Sequence, residues 1–236
     1  MERKLATLLF ADLVGSTALG DKLDPEHARD LLEQFYDAME AEIALGGGTV
    51  EKFIGDAVAA VFGAPAAQED HAERALQTAL WMLERLRKLF GDRLALRIGV
   101  NSGEVVVGRP RDGSSFATGD AVNVAARLEQ AAAPGQVLVG ERTATLVGDA
   151  FEFGEPSTVE AKGKSLPIPF WEVQEARSRP GMDVAHEARA PLVGRDQELA
   201  VLADALHRVR QARTTQLVTL VGVPGLGKSR LVHELS

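Results

Sequence analysis

The sequence predicts an α+β domain built on a central, mostly antiparallel sheet, followed by the start of a second domain. Helical and strand patterns alternate through the first 175 residues, and no glycine fingerprint follows the first apolar strand. A hairpin signal at 49–62 joins two strands through the two-residue turn Gly55-Asp56. The periodic pattern stops near residue 175, and 176–190 carries the charge, proline and glycine that are typical of a linker.

The spacing of apolar residues predicts the individual elements. A buried strand is expected over 3–13, where Leu8, Leu9 and Phe10 run directly into Asp12. Helices are expected over 24–45, about 69–90 and 119–132. The segment 94–108 is interpreted as a second hairpin, and short strands are expected in "QVLVG", "FEFGE" and "IPFWEV".

Composition excludes several classes of protein. The net charge of -8 argues against a nucleic-acid partner, because such binding neutralises phosphates with Lys and Arg. The absence of cysteine rules out disulfides and thiolate metal sites, and it fits a reducing compartment. There is no signal-peptide pattern and no apolar run near the ~20 residues that a membrane helix requires. We therefore expect a cytoplasmic protein with no membrane partner.

Two aspartates form the first candidate site. Asp12 ends the first strand and Asp56 lies in the hairpin turn, so the two carboxylates converge if the hairpin pairs beside that strand. At about 5 Å they would repel by roughly 3 kcal/mol, which favours a neutralising cation. Oxygen ligands favour magnesium or manganese over zinc. Taken singly, each aspartate is also explained as a strand-end or turn residue.

The helix over 119–132 supplies a second group of polar residues. Asn123, Arg127 and Gln130 share one face, which suits either a solvated surface or the binding of a ribose and a phosphate. Lys52 lies between Val50 and the hairpin turn. A lysine in such a strand either extends to water or reads a ligand.

Four segments resemble, in order and spacing, the class III nucleotidyl cyclase catalytic domain. They are "FADLVGST", "EKFIGDAVAAVFG", "GDAVNVAARLE" and "VEAKGKSLPIPFWEV", and the resemblance covers about residues 3–174. It implies a ferredoxin-like cyclase fold over 1–175. It also implies that Asp12 and Asp56 hold two Mg²⁺ or Mn²⁺ ions per active site, with the Leu13 carbonyl as a further ligand.

The resemblance also assigns the substrate contacts. Thr17 would approach the β- and γ-phosphates, and Lys162 would bind a phosphate. Asn123 would orient the ribose, Arg127 would stabilise charge at the α-phosphate, and Lys52 would read the adenine edge. Family sites form between two head-to-tail catalytic domains, so a homodimer with ATP as substrate is expected.

One position departs from the family pattern. Seven residues before Asn123 the family has Asp, Thr or Ser, which shares base recognition with the lysine, whereas this chain has Phe116. A phenylalanine cannot hydrogen-bond a purine edge, and Ser115 or Thr118 would have to substitute for it. The choice between ATP and GTP therefore stays open, with adenylate cyclase favoured over guanylate cyclase.

A second motif follows the linker. "GVPGLGKS" (222–229) fits the P-loop pattern between an apolar strand at 217–221 and a helical stretch. Together with "LVGRDQEL" it resembles the start of the ATPase domains that follow bacterial cyclase domains. We expect 191–236 to be the N-terminal fragment of such an α/β domain, with loop amides around the phosphates. The expected phosphate-binding residues are Gly222, Gly225, Gly227, Lys228 and Ser229.

Three functions are consistent with these motifs. The first is a homodimeric adenylate cyclase of intracellular signalling, regulated by the ATPase module. The second is a cyclase-like module that binds nucleotide, turns over weakly and controls the attached ATPase, and Phe116 favours it. The third is a dimerisation scaffold, which has no need of the metal and transition-state residues.

Overall fold

The structure is a computed structural model in which the chain forms two compact units, Met1–Arg177 and Ser178–Ser236. Among the residues that it describes, the first unit contains all nine strands and four of the five α-helices. The described residues are 2–16, 24–108, 117–160, 167–177, 194–213, 215–221, 228, 231 and 232.

The strands form one mixed sheet in the order β2-β3-β1-β4-β6-β9-β7, with β5 beside β4 and β8 beside β9. Only β4 and β6 run parallel among the described pairs, so the predicted α+β fold with a mostly antiparallel sheet is confirmed. The strand bounds are β1 Glu2–Val14, β2 Thr49–Ile54, β3 Ala57–Phe62, β4 Ala95–Val107, β5 Ala117–Thr118, β6 Val137–Gly140, β7 Phe151–Phe153, β8 Ser157–Val159 and β9 Ile168–Ala176.

Helices cover both faces of this sheet. The helix bounds are α1 Pro25–Leu45, α2 His71–Phe90, α3 Asp120–Ala131 and α4 Glu141–Val147. The larger core lies beneath α1 and α2, where Phe35, Met39 and Leu76 are fully buried. A smaller core lies beneath α3. Among the described helices, none has the length and apolar character needed to cross a bilayer.

Alternation along β1 decides which face each of its side chains occupies. Leu9, Ala11 and Leu13 belong to the larger core, whereas Leu8 belongs to the smaller core and Phe10 packs against it. Side chains two residues apart in a strand share a face. Asp12 therefore lies on the face that α3 covers.

Helix α3 approaches β4 closely because Gly99 has no side chain. A Cβ atom at Gly99 would lie 2.2 Å from the Glu129 backbone nitrogen and 2.3 Å from the Ala125 carbonyl oxygen. Two residues further along the same face, Asn101 donates from Nδ2 to the Ala121 carbonyl oxygen at 3.2 Å. These contacts place the last turn of α3 over the stretch of β4 that begins at Arg97.

The predicted hairpin over 94–108 is wrong, because this segment forms the single 13-residue strand β4. Its middle residues are held in the sheet by buried partners rather than turned outward. The Thr7 hydroxyl lies 2.6 Å from the Ser102 hydroxyl and 2.7 Å from His71 Nδ1, and Thr143 donates to Ser102 at 3.0 Å. This polar chain fixes Ser102 inside the fold, so the "NSG" sequence makes no turn.

The second unit contains the helix α5, Asp196–Ala212. The strand expected over 217–221 is wrong for the described residues, where 215–221 has no strand assignment. Leu217 and Val221 are 93% and 89% exposed, and no strand among the described residues pairs with this segment.

The close contact at Gly99 yields a prediction about stability. Gly99→Ala should lower the free energy of unfolding by about 2–3 kcal/mol, because the added methyl meets backbone atoms that cannot rotate away. Gly108→Ala is the matched control, since its Cβ would meet no heavy atom within 4 Å. Urea unfolding of both variants measures the difference. Equal stability of the two variants would contradict the proposed packing of α3.

Candidate active site

Asp12 lies near the end of β1, between two neighbouring strands. It is paired with Ala57 of β3 on one side and with Arg97 of β4 on the other. Its side chain is 18% exposed. A carboxylate at this depth needs a compensating positive charge, because the loss of hydration disfavours the ionised form.

Arg97 supplies that charge. Its Nη2 donates to Asp12 Oδ2 at 2.6 Å and its Nε donates to the same oxygen at 2.9 Å. Both hydrogen bonds end on one carboxylate oxygen, Asp12 Oδ2. The carboxylates of Asp12, Glu129 and Asp56 together raise the pKa of Arg97 against the effect of its burial.

Glu129 approaches Arg97 from α3. Its Oε1 lies 2.7 Å from Arg97 Nε, which makes an ion pair. That oxygen nevertheless has no hydrogen-bond partner in the described part of the chain, because the single Nε proton is directed at Asp12. Burial raises the pKa of Glu129 to about 7, with Arg97 opposing the rise and the charges of Asp12 and Asp56 adding to it.

Asp56 occupies the turn of the predicted hairpin, and β2 and β3 pair antiparallel as the sequence indicates. The Leu13 amide donates to the Asp56 carbonyl oxygen at 3.2 Å, which ties the turn to the end of β1. The Ser16 hydroxyl donates to Asp56 Oδ2. The structure thus brings the turn that carries Asp56 beside the strand end that carries Asp12.

A tyrosine holds the other side of the same turn. The Tyr36 hydroxyl donates to the carbonyl oxygen of Gly55, and its ring lies 4.6 Å from the ring of Phe53, centroid to centroid. Gly55 has φ +60°, the left-handed conformation that glycine adopts without strain. Helix α1 therefore fixes the turn from outside the sheet.

Three of the proposed substrate residues are described, and they lie on α3 and β2. On α3, Asn123 is exposed and Arg127 is half-buried, on the side of the helix away from β4. Lys52 is exposed on β2, directly after a β-bulge at Glu51. Glu51 Oε1 accepts a hydrogen bond from the Ala117 amide at 3.4 Å, so the bulge touches the residue that follows position 116.

Several predicted site residues lie outside the described residues: Thr17, Phe116, Lys162, Gly222, Gly225, Gly227 and Ser229. Lys228 is described, half-buried and helical. In the ranges that the structure describes, no three His, Asp or Glu side chains are grouped so as to hold a metal ion.

The chemistry of the donors at this end of the sheet suits magnesium or manganese. Magnesium is commonly held by one or two carboxylates and the phosphates of the substrate, and it keeps several water ligands. The carboxylates of Asp12 and Asp56 would be such a pair. Asp12 already accepts hydrogen bonds from a guanidinium. This contact indicates that a positive charge is favourable at this position.

A family model for the adenylate and guanylate cyclase catalytic domain matches residues 2–174. The chain belongs to this family. Residues 191–236 match the model of an AAA ATPase domain, so the cyclase domain is followed by the start of a P-loop ATPase domain.

Known structures resemble the cyclase domain closely. The adenylyl cyclase CyaB from P. aeruginosa is 31% identical with a TM-score of 0.69, and the match covers 75% of this chain and 96% of that one. The guanylyl cyclase Cya2 is 31% identical with a TM-score of 0.70, covering 76% and 95%. Cyclases of both specificities are thus similar to the domain.

Curated relatives extend beyond the matched region. Adenylate cyclase 1 of Rhizobium meliloti is 31% identical over 72% of this chain and 28% of its own length. The uncharacterized protein R02095 of the same organism is 31% identical over 99% of this chain and 23% of its own. The chain therefore spans between 23% and 28% of the length of these relatives.

Sequence reasoning missed Arg97 and Glu129. A signal was present for each: Arg97 stands between Leu96 and Ile98 in an apolar strand, and Glu129 follows the buried Leu128 in α3. Charged residues at such positions are rarely buried without a partner. The ion pair between Arg97 and Glu129 depends on the contact between β4 and α3. The wrong prediction of a hairpin over 94–108 concealed that contact.

Glu129 should make the stability of the metal-free cyclase depend on pH. Its folded pKa of about 7 exceeds the ordinary 4.5, so the folded state holds the proton more tightly, and stability falls as pH rises from 4.5 to 7. The contribution lost is at most roughly 3 kcal/mol. Glu129→Gln should remove this dependence.

Urea unfolding in the presence of a chelator, at a series of pH values, measures this pH dependence of stability. The difference in unfolding free energy between the unaltered chain and Glu129→Gln should change across this window. The control variant is Glu104→Gln, at an exposed position of β4. Parallel stability curves for the unaltered chain and Glu129→Gln would refute the assignment.

Proposed function

We propose that residues 1–175 are the catalytic domain of an adenylate cyclase that converts ATP into 3′,5′-cyclic AMP and pyrophosphate in cytoplasmic signalling. The observation that carries the proposal is the convergence of Asp12 and the Asp56 turn, tied through the Leu13 amide at the end of β1. Membership of the cyclase family adds the reaction class.

Two divalent cations would bind at Asp12, Asp56 and the Leu13 carbonyl. When bound, they would lower the pKa of the ribose 3′-hydroxyl and neutralise the triphosphate. The 3′-oxygen then forms a bond to the α-phosphorus while the bond to the bridging β-oxygen breaks. The hydroxyl proton passes to solvent and pyrophosphate leaves.

The remaining site residues position the substrate and neutralise charge. Asn123 orients the ribose, and Arg127 stabilises the negative charge that develops at the α-phosphate. Thr17 and Lys162 bind the phosphates, and Lys52 contacts the adenine edge. We infer a head-to-tail homodimer, because Asn123 is exposed and Arg127 half-buried on α3, whereas Asp12 is only 18% exposed at the end of β1.

One observation favours a second function. Phe116 provides no hydrogen bond to a base, and a missing polar contact can change discrimination strongly. The second candidate is therefore a nucleotide-sensing module of weak turnover, controlling the ATPase domain that begins at 191. In that domain the proposed phosphate-binding loop is 222–229, with Lys228 at the β/γ-phosphates.

The carboxylates are tested by substitution. The full chain with Mn-ATP should form cyclic AMP, and Asp12→Ala or Asp56→Ala should lower the rate about a thousandfold, since metal stabilisation is worth several kcal/mol. Asp37→Ala, on the exposed side of α1, is the matched control and should keep full activity. Absence of product with both ATP and GTP would support the sensing module instead.

The head-to-tail dimer is tested by complementation. Asp12→Ala and Arg127→Ala chains should each be inactive, because each damages one half of every site. After mixing, each heterodimer keeps one intact site, so about a quarter of the unaltered activity should return. Chromatography with light scattering confirms that the chains exchange. No recovery among exchanged dimers would refute a shared site.

A further inference from the structure

The turn that carries Asp56 is held by backbone hydrogen bonds on two sides. From α1, the Tyr36 hydroxyl donates to the Gly55 carbonyl oxygen. From β1, the Leu13 amide donates to the Asp56 carbonyl oxygen at 3.2 Å. These two carbonyl groups belong to the two peptide planes that flank the Asp56 Cα atom. Because each peptide unit is planar, fixing both planes sets the direction of the Asp56 Cα–Cβ bond.

The loop between β2 and β3 has the backbone pattern of a type II′ turn. Ile54 pairs with Ala57, so Gly55 and Asp56 are its two central residues. Gly55 has φ +60°, whereas Asp56 is not among the described residues with positive φ. A positive φ at the first central residue alone distinguishes type II′ from type I′, which has positive φ at both. The two types differ by a flip of the central peptide, whose carbonyl oxygen belongs to Gly55.

A flip of that peptide is the main alternative open to this turn. Both turn types are common in two-residue hairpins, and the Gly-Asp sequence tolerates either, since aspartate adopts positive φ more readily than most residues. In the flipped form the Gly55 carbonyl would point away from Tyr36, and Asp56 would project its carboxylate in another direction. The Tyr36 hydrogen bond therefore favours the type II′ form over the type I′ form.

The hydroxyl group of Tyr36 makes this contact separately from the packing of its ring. The ring lies 4.6 Å from that of Phe53 and 5.7 Å from that of Phe35, centroid to centroid. A phenylalanine at position 36 would keep both ring contacts and lose only the bond to Gly55. That bond is exposed to solvent, where water replaces a lost partner at little cost in stability. Its effect is therefore expected on the conformation of the turn rather than on the stability of the fold.

We propose that Tyr36 is a positioning residue of the metal site, which selects the turn conformation from which Asp56 binds a divalent cation. Tyr36 acts through the Gly55 peptide and does not touch the cation. Helix α1 thereby contributes to metal affinity, although none of its residues is a proposed ligand. This inference rests on the metal-binding role proposed for Asp56.

Direct binding of Mn²⁺ to the full chain without nucleotide, measured by water-proton relaxation enhancement, tests the effect on affinity. Tyr36→Phe should weaken Mn²⁺ binding by about threefold to tenfold, which corresponds to the net contribution of one hydrogen bond. The matched control is Phe35→Leu, which alters the neighbouring, fully buried residue but keeps the Tyr36 hydroxyl. It should lower the stability of the fold and leave Mn²⁺ binding within about twofold of the unaltered chain. Circular dichroism verifies that each variant is folded.

Nuclear magnetic resonance of the metal-free chain, labelled at aspartate with nitrogen-15, tests the turn itself. The amide and α protons of a residue lie closer together when its φ is positive. Tyr36→Phe should therefore strengthen the nuclear Overhauser effect between these two protons of Asp56, because the type I′ form becomes populated. Phe35→Leu should leave this effect unchanged. The Asp56 signal is identified by its loss in Asp56→Asn.

Three outcomes would overturn the inference. The first is a folded Tyr36→Phe chain with unchanged Mn²⁺ affinity. The second is weaker binding with an unchanged Overhauser effect at Asp56, because the turn would then not be the cause. The third is equal weakening by Phe35→Leu, which would assign the loss to general stability. Asp56→Asn tests the premise separately, since unchanged Mn²⁺ binding there would refute the metal role of Asp56 itself.

Discussion

Negative charge is concentrated where β1, β4 and the β2–β3 turn meet. Asp12, Asp56 and Glu129 all act on the Arg97 guanidinium, which holds Asp12 through two hydrogen bonds. Paired carboxylates at a strand end are stable only while something positive lies between them. In the structure that role falls to Arg97, and under the proposed function divalent cations would add to it. The geometry of the site follows from this need for neutralisation.

Close packing of α3 on β4 brings the charged residues of the site together. Gly99 allows α3 to rest on β4, and the contact fixes Glu129 over the same face as Arg97. Asn123 and Arg127 occupy the opposite side of the same short helix. In the proposed dimer α3 would therefore serve two sites, supporting the metal ligand of its own subunit and presenting the transition-state residues to the other. A displacement of α3 would therefore affect both active sites of the proposed dimer.

Much of the fold and of the candidate site could be predicted from local sequence pattern. The α+β sheet, the Gly55-Asp56 turn and the polar face of α3 follow from spacing and turn chemistry, which act over a few residues. The continuity of β4 could not be read in this way. Ser102 stays in the strand because Thr7 and Thr143 bond it from distant parts of the chain. The Arg97–Glu129 pair could not be predicted for the same reason. The roles assigned to all the predicted site residues, including Thr17, Phe116 and Lys162, remain predictions.

The two aspartates of the proposed metal site belong to parts of the sheet with different support. Asp12 lies in β1, which pairs with β4 along all thirteen residues and with β3 on its other side. Asp56 lies in a hairpin whose outer strand, β2, is at the edge of the sheet. Local opening favours edges and tips, whereas a doubly paired strand opens only with the whole domain. Amide exchange would therefore be slow around Asp12 and faster around Asp56, and local opening of the proposed metal site would come from the hairpin side alone.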